Sequence, residues 1–183
     1  MKALVGAFNH EKALVGAFTV IVQLWVIFAN LRFKLYSQVS AQHVVTAAHC
    51  THGHTVSSIE VLVGEHDTSD STAARHNVSA ITNHPSYNHS SLDFDFSILT
   101  LEAPINISTA AAPVCLPASL PLYTGSLATV TGWGLTSEGG SGSSTLREGN
   151  VTIMSNEQCT TKYGSRINRS ILGSGLVYVK VNK

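Results

Sequence analysis

Residues 44–50 read Val44-Val45-Thr46-Ala47-Ala48-His49-Cys50. Small residues before a histidine let a tight turn pack against a neighbouring strand and present the imidazole at a surface cleft. A neutral imidazole is the side chain best tuned to exchange protons near pH 7. Taken alone, such a histidine is more often structural than catalytic. Further on, Asp93-Phe94-Asp95-Phe96-Ser97-Ile98-Leu99 brings a carboxylate into an apolar strand. A buried Asp needs hydrogen bonds, and accepting one from an imidazole N–H fixes that ring's tautomer. For an isolated Asp, a strand-start position at a turn is the usual account.

Outward from these strings the texture is all-β. Ile59 to Val63, Leu127 to Thr131, Val151 to Ile153 and Leu176 to Val181 are short β-branched runs. Gly, Ser, Pro and Asn clusters bound them, as at Asn83-His84-Pro85-Ser86 and Glu138 to Ser144. Val177-Tyr178-Val179-Lys180-Val181 alternates, with its three valines on one face. A sandwich or barrel is the class this implies.

The first thirty residues differ. Lys2 to Phe8 reads KALVGAF, and Lys12 to Phe18 repeats it; two heptapeptides are too short for a repeat architecture. Residues 13–29 are apolar except for Thr19 and Gln23. That length is marginal for a membrane span and generous for the apolar region of a signal peptide. Residues 1–30 therefore read as a signal peptide or anchor, with membrane contact through 13–29; a buried strand pair is the structural alternative. The remaining 153 residues follow as the folded domain.

The chain has 183 residues, 44% of them apolar, with 11 Lys+Arg against 11 Asp+Glu. This suits one domain or two small lobes and excludes wholesale disorder. Zero net charge argues against a nucleic-acid partner, because phosphate affinity needs surplus Lys and Arg. Sequons stand at Asn77, Asn88, Asn106, Asn150 and Asn168, so five candidate glycosylation sites accompany the N-terminal segment and favour the secretory pathway. Three cysteines is an odd count for a secreted domain.

Together the histidine and aspartate strings resemble the trypsin/chymotrypsin-like serine proteases, with TAAHC around His49 and a D-x-x-x-L strand opened by Asp95. Further matches run in order: Val61-Leu62-Val63-Gly64-Glu65-His66, His84-Pro85-Ser86-Tyr87-Asn88, Pro113-Val114-Cys115-Leu116-Pro117 and Ala128-Thr129-Val130-Thr131-Gly132-Trp133-Gly134. Leu146-Arg147 through Cys159 completes them, so the resemblance covers roughly residues 39–171. It implies two antiparallel Greek-key β-barrels, the second incomplete, acting by peptide-bond hydrolysis in the intact family. It makes His49 the general base and Asp95 its orienting partner. Asp93, two residues earlier on the same strand face, is the competing carboxylate, and the motif favours Asp95. No cofactor is implied. The implied partners are a polypeptide substrate or a protease inhibitor, and the implied location is extracellular or anchored at a membrane.

The nucleophile is where the pattern breaks. The family template puts its serine about 93 residues beyond the aspartate, past Lys183, and no Gly-Asp-Ser-Gly-Gly string occurs in the sequence. After Ile171, Gly175-Leu176-Val177-Tyr178-Val179-Lys180-Val181 resembles a strand near the family's C-terminus. The segment between, with the nucleophile and oxyanion-hole N–H groups, reads as deleted. Ser174, in Gly173-Ser174-Gly175, is the only remnant candidate, and a flexible joint explains it better. Family pairing would join Cys50 to a cysteine just upstream of the histidine loop, and Cys159 to one soon after Ile171. No cysteine stands at either place, and Cys115 lacks the N-terminal chain to which its family counterpart is commonly tied. The expectation is a serine endopeptidase relative that does not catalyse as written, or alternatively a secreted non-catalytic homologue acting by binding.

Other groupings carry less. His52 and His54 crowd His49 and Cys50 but suit a solvated loop better than a zinc site. Glu65, with Asp67 and Asp70, lies where relatives bind calcium, though Ala73-Ala74 replaces the later acidic ligand. Gly139 to Ser144 is expected to be an exposed flexible loop.

Overall fold

The computed structural model describes residues 2–6, 33–70, 72–108, 111–114, 124–134, 141–155, 157–158, 161 and 179–181. Within them the strands are β1 (Lys2–Gly6), β2 (Phe33–Gln38), β3 (His43–Thr46), β4 (Glu60–Glu65), β5 (Ala74–Asn83), β6 (Ser97–Leu101), β7 (Leu127–Gly132), β8 (Arg147–Ile153) and β9 (Val179–Val181). The first six close into a barrel in the order β1-β2-β3-β6-β5-β4, and β7-β8-β9 form a separate sheet. The molecule is thus all-β, with a closed first barrel and, among the described residues, a second of only three strands.

Period-2 alternation builds the first barrel. Ser97, Leu99 and Leu101 of β6 are buried while Ile98 and Thr100 are half-buried, so one face points inward. Val44, Ile59, Val61, Val63, Val78, Leu99, Leu101, Ile105 and Ala111 fill the interior. Each Val, Leu or Ile fully buried there contributes about 1.5–3 kcal/mol. Strand β4 is buried on both faces. Val61 and Val63 enter this core, whereas Leu62 joins Trp133 in a second cluster flanked by Ala73 and Leu146. At its end Gly64 takes φ +80°, a left-handed conformation that glycine adopts without steric cost.

Four ladders of the barrel are antiparallel, as the resemblance implies: β2–β3, β3–β6, β4–β5 and β5–β6. Strand β1 departs from that expectation. It lies parallel to both neighbours, with Leu4 opposite Leu35 on one side and Leu62 on the other. The first KALVGAF copy thereby supplies the strand that closes the barrel, bonding the edges that β2 and β4 would otherwise present. The apolar run 13–29 lies outside the described residues. Among the described residues, no helix is long and apolar enough to cross a membrane.

The two sheets meet along residues 66–68. The His66 carbonyl accepts from the Leu146 N–H at 2.8 Å and the Trp133 indole N–H at 3.1 Å. Thr68 N–H donates to the Ser144 carbonyl at 2.8 Å, and Ser143 N–H to the Trp133 carbonyl at 3.1 Å. The expected flexible loop is therefore held over residues 143–144, because its backbone groups find partners on both sheets.

Candidate active site

The β3–β6 ladder explains why residues 46 apart in sequence meet. Thr46, the last residue of β3, pairs with Ser97, the first of β6. In an antiparallel pair, the chain leaving one strand and the chain entering the other emerge at the same end. His49 leaves there within a 3-10 turn, Ala48–Cys50, and Asp95 arrives two residues before β6. Thr51, almost fully buried, pins the turn: its Oγ1 lies 2.6 Å from Asn83 Oδ1, 3.1 Å from the Ala48 carbonyl and 3.2 Å from Ser97 Oγ.

Asp95 grips His49 with both oxygens. Oδ1 accepts the His49 backbone N–H at 2.7 Å, and Oδ2 lies 2.7 Å from the ring Nδ1. The carboxylate side chain is 1% exposed and the imidazole 27%, so the acid is sealed and the ring reaches solvent. Such a two-point hold fixes the ring plane and places a proton on Nδ1. The opposite nitrogen, Nε2, lies 3.1 Å from Cys50 Sγ, within hydrogen-bond range for sulfur. Cys50 is a buried thiol, 2% exposed. An Asp95–His49–Cys50 chain of contacts results.

Burial works against charge on the His49 ring. The Asp95 carboxylate on one nitrogen and the Cys50 sulfur on the other outweigh it, and the pKa is pushed up to about 9. Burial, then the charges of Asp95 and Cys50, push the Tyr87 phenol above the ordinary value. The Tyr87 hydroxyl lies 3.1 Å from His89 Nδ1, and the His89 ring stacks on His52 at 4.8 Å.

Asp93 and Asp95 do not share a strand face, contrary to the sequence expectation. Both precede β6, and Phe94 between them has φ +52°, with Leu92 at +59°. A left-handed residue breaks the alternation that would aim the two carboxylates alike. Asp93 instead accepts from Ser91 Oγ at 2.8 Å. Phe94, half out of the protein, stacks its ring on His84 at 4.7 Å and 7°. Two non-glycine residues in left-handed backbone beside the dyad mark a locally strained loop.

The remaining sequence candidates scatter. Glu65 is buried at the end of β4. The Asp67 carboxylate accepts from Ser69 N–H at 3.0 Å and Ser69 Oγ at 2.6 Å, which holds it below the usual carboxylate range. Among the described residues no three His, Cys, Asp or Glu side chains converge as a metal site. Of the sequon asparagines, Asn77, Asn88, Asn106 and Asn150 are exposed. Asn168, Ser174, Cys115 and Cys159 lie outside the described residues. The Nε2–Sγ contact is what sequence reasoning missed; the only signal was that Cys50 directly follows His49.

Comparison with known proteins agrees with this architecture. The family model for Trypsin matches residues 35–180. Serine proteinase stubble of Drosophila melanogaster is 36% identical over 124 residues, 66% of this chain and 16% of that protein. Brachyurin of Leptuca pugilator is 34% identical over 131 residues, 70% of this chain and 57% of that one. Trypsin-1 of Astacus astacus is 34% identical over 128 residues, covering 67% and 54% respectively. A solved structure described as GrC superposes with a TM-score of 0.65 at 28% identity, covering 73% of this chain and 59% of its own. This chain belongs to the trypsin family of serine proteases. It spans little more than half the length of brachyurin and Trypsin-1, and far less of stubble.

Proposed function

We propose that this chain carries the proton-relay half of a serine endopeptidase centre and does not by itself hydrolyse peptide bonds. In the family's chemistry the histidine takes the serine proton while the aspartate holds its tautomer. His49 and Asp95 have the contacts for those roles. The observation that carries the proposal is the environment of Nε2, the nitrogen that would receive the proton: it faces the Cys50 sulfur at 3.1 Å. A ring whose pKa is pushed up to about 9 is mostly charged at pH 7, and a ring already charged cannot take up a serine's proton. The sequence also holds no Gly-Asp-Ser-Gly-Gly string. Incubating the purified chain with a fluorophosphonate and measuring intact mass tests this. The expected result is no stoichiometric adduct; one adduct per chain, mapped to a serine such as Ser174, overturns it.

Export and glycosylation belong to the same reading. The four exposed sequon asparagines support it. Expression in a eukaryotic secretory host should give a band that shifts on treatment with an N-glycosidase, and an unshifted secreted band contradicts it.

A further inference from the structure

We propose that Cys50 is a reactive thiol whose proton passes to His49 Nε2, and that its reaction partners are small electrophiles, hydroperoxides foremost. The geometry carries the inference. Sγ lies 3.1 Å from Nε2, and Asp95 Oδ2, 2.7 Å from Nδ1, turns the ring so that Nε2 faces the sulfur. An imidazole backed by a carboxylate is the arrangement that activates a thiol, because the thiolate is the nucleophile. The elevated affinity of the His49 ring for its proton, partly caused by Cys50 itself, agrees with that transfer.

Access is narrow. Cys50 is 2% exposed, whereas the imidazole that touches it is 27% exposed. The exposed imidazole edge is the side from which a small reagent would approach, and labelling of Cys50 in the folded chain tests whether it reaches the sulfur. With a hydroperoxide, the thiolate attacks one peroxide oxygen. The S–O bond forms and the O–O bond breaks. Sulfur is oxidised to a sulfenic acid, the peroxide is reduced, and the leaving hydroxide (or alkoxide) takes up the proton His49 had accepted. Oxidation would also alter the contact that occupies Nε2. The inference takes the charge on His49 to be the proton Cys50 has given up and does not require peptide hydrolysis, so the phosphonate experiment and the one below fail independently.

Iodoacetamide is the probe: the S–C bond forms as C–I breaks, and iodide leaves. The alkylation rate of the Cys50 peptide is measured by mass spectrometry in the full chain and in His49→Asn, at pH 7 and pH 10. We expect the parent chain to react at least tenfold faster than the variant at pH 7. The two should converge within twofold at pH 10, where an ordinary thiol is ionised. Equal rates at pH 7 overturn the proposal, as does a ratio that persists at pH 10, which would mean altered access. A Cys50 that stays unlabelled when folded yet reacts in urea also overturns it. If His49→Asn does not fold, the parent chain decides alone. Its Cys50 rate should rise less than about threefold from pH 7 to 10, against about thirtyfold for the urea-unfolded chain; a thirtyfold rise in the folded chain rejects the idea.

Discussion

Asp95 and His49 show how much one residue can set. The carboxylate closes two hydrogen bonds on a single histidine, one to its backbone and one to its ring. Folded His49 titrates at about 9, against an ordinary value of 6.5, so over that window the folded histidine holds a proton the unfolded histidine has released. The associated stabilisation is full below pH 6.5 and is lost as pH rises through 9. Urea midpoints of Cys50→Ser, which keeps a polar neighbour but has no thiol to titrate, should fall as pH rises from 6.5. With Asp95→Asn added that slope should flatten, because burial then opposes the charge with one less compensating partner. A slope unchanged by the substitution would assign the pH dependence elsewhere. The pairing of Asp95 with His49 was legible in the sequence because two separate strings and their spacing agreed. The turn of Cys50 toward His49 was not, since adjacent residues in a 3-10 turn follow no periodicity that aims side chains at each other.

Strands differ in how openly the sequence announces them. The runs 59–63 and 127–131 foreshadow β4 and β7 because consecutive β-branched residues suit a pleated, buried surface. Strand β5, ten residues long, gives no such signal: only Val78 is buried in Ala74–Asn83. A register shift between Val78 and Ala80 interrupts the alternation that would reveal it. Two tests belong at this level. Leu99, fully buried in β6 within the main core, should cost about 2–5 kcal/mol when changed to Ala, read as a lower denaturant midpoint. Gln38 at the end of β2 is 2% exposed, and neither side-chain polar atom has a hydrogen-bond partner among the described residues. Gln38→Met keeps most of the volume and removes that desolvation cost, so stability should rise by about 1–3 kcal/mol. A fall would show that the amide has a partner.

Across the whole molecule, the described residues place a closed barrel against a three-stranded sheet, the two meeting along residues 66–68 and the Leu62–Trp133 cluster. Leu62 and Trp133 form the apolar part of the junction, and the His66 carbonyl accepts from both Trp133 and Leu146. Trp133→Ala removes the largest side chain there and leaves one of those bonds unmade. A loss of about 3–5 kcal/mol is expected, with amide exchange accelerating in β7 and β8 more than in β3 and β6. Uniform acceleration would mean that the two sheets unfold as one unit. The two-barrel plan was legible because motifs from both halves occur in order. The parallel closure by β1 was not, because KALVGAF has the composition of a leader segment and a strand alike.

The chain's defining feature is that its relay runs from Asp95 through His49 to Cys50, and imidazole nitrogen shifts report it most directly. A pH titration of 15N-histidine-labelled protein should show His49 with a midpoint of about 9, and Cys50→Ala should lower it. A midpoint near 6.5 in the intact chain, or one indifferent to the loss of the sulfur, would contradict that relay.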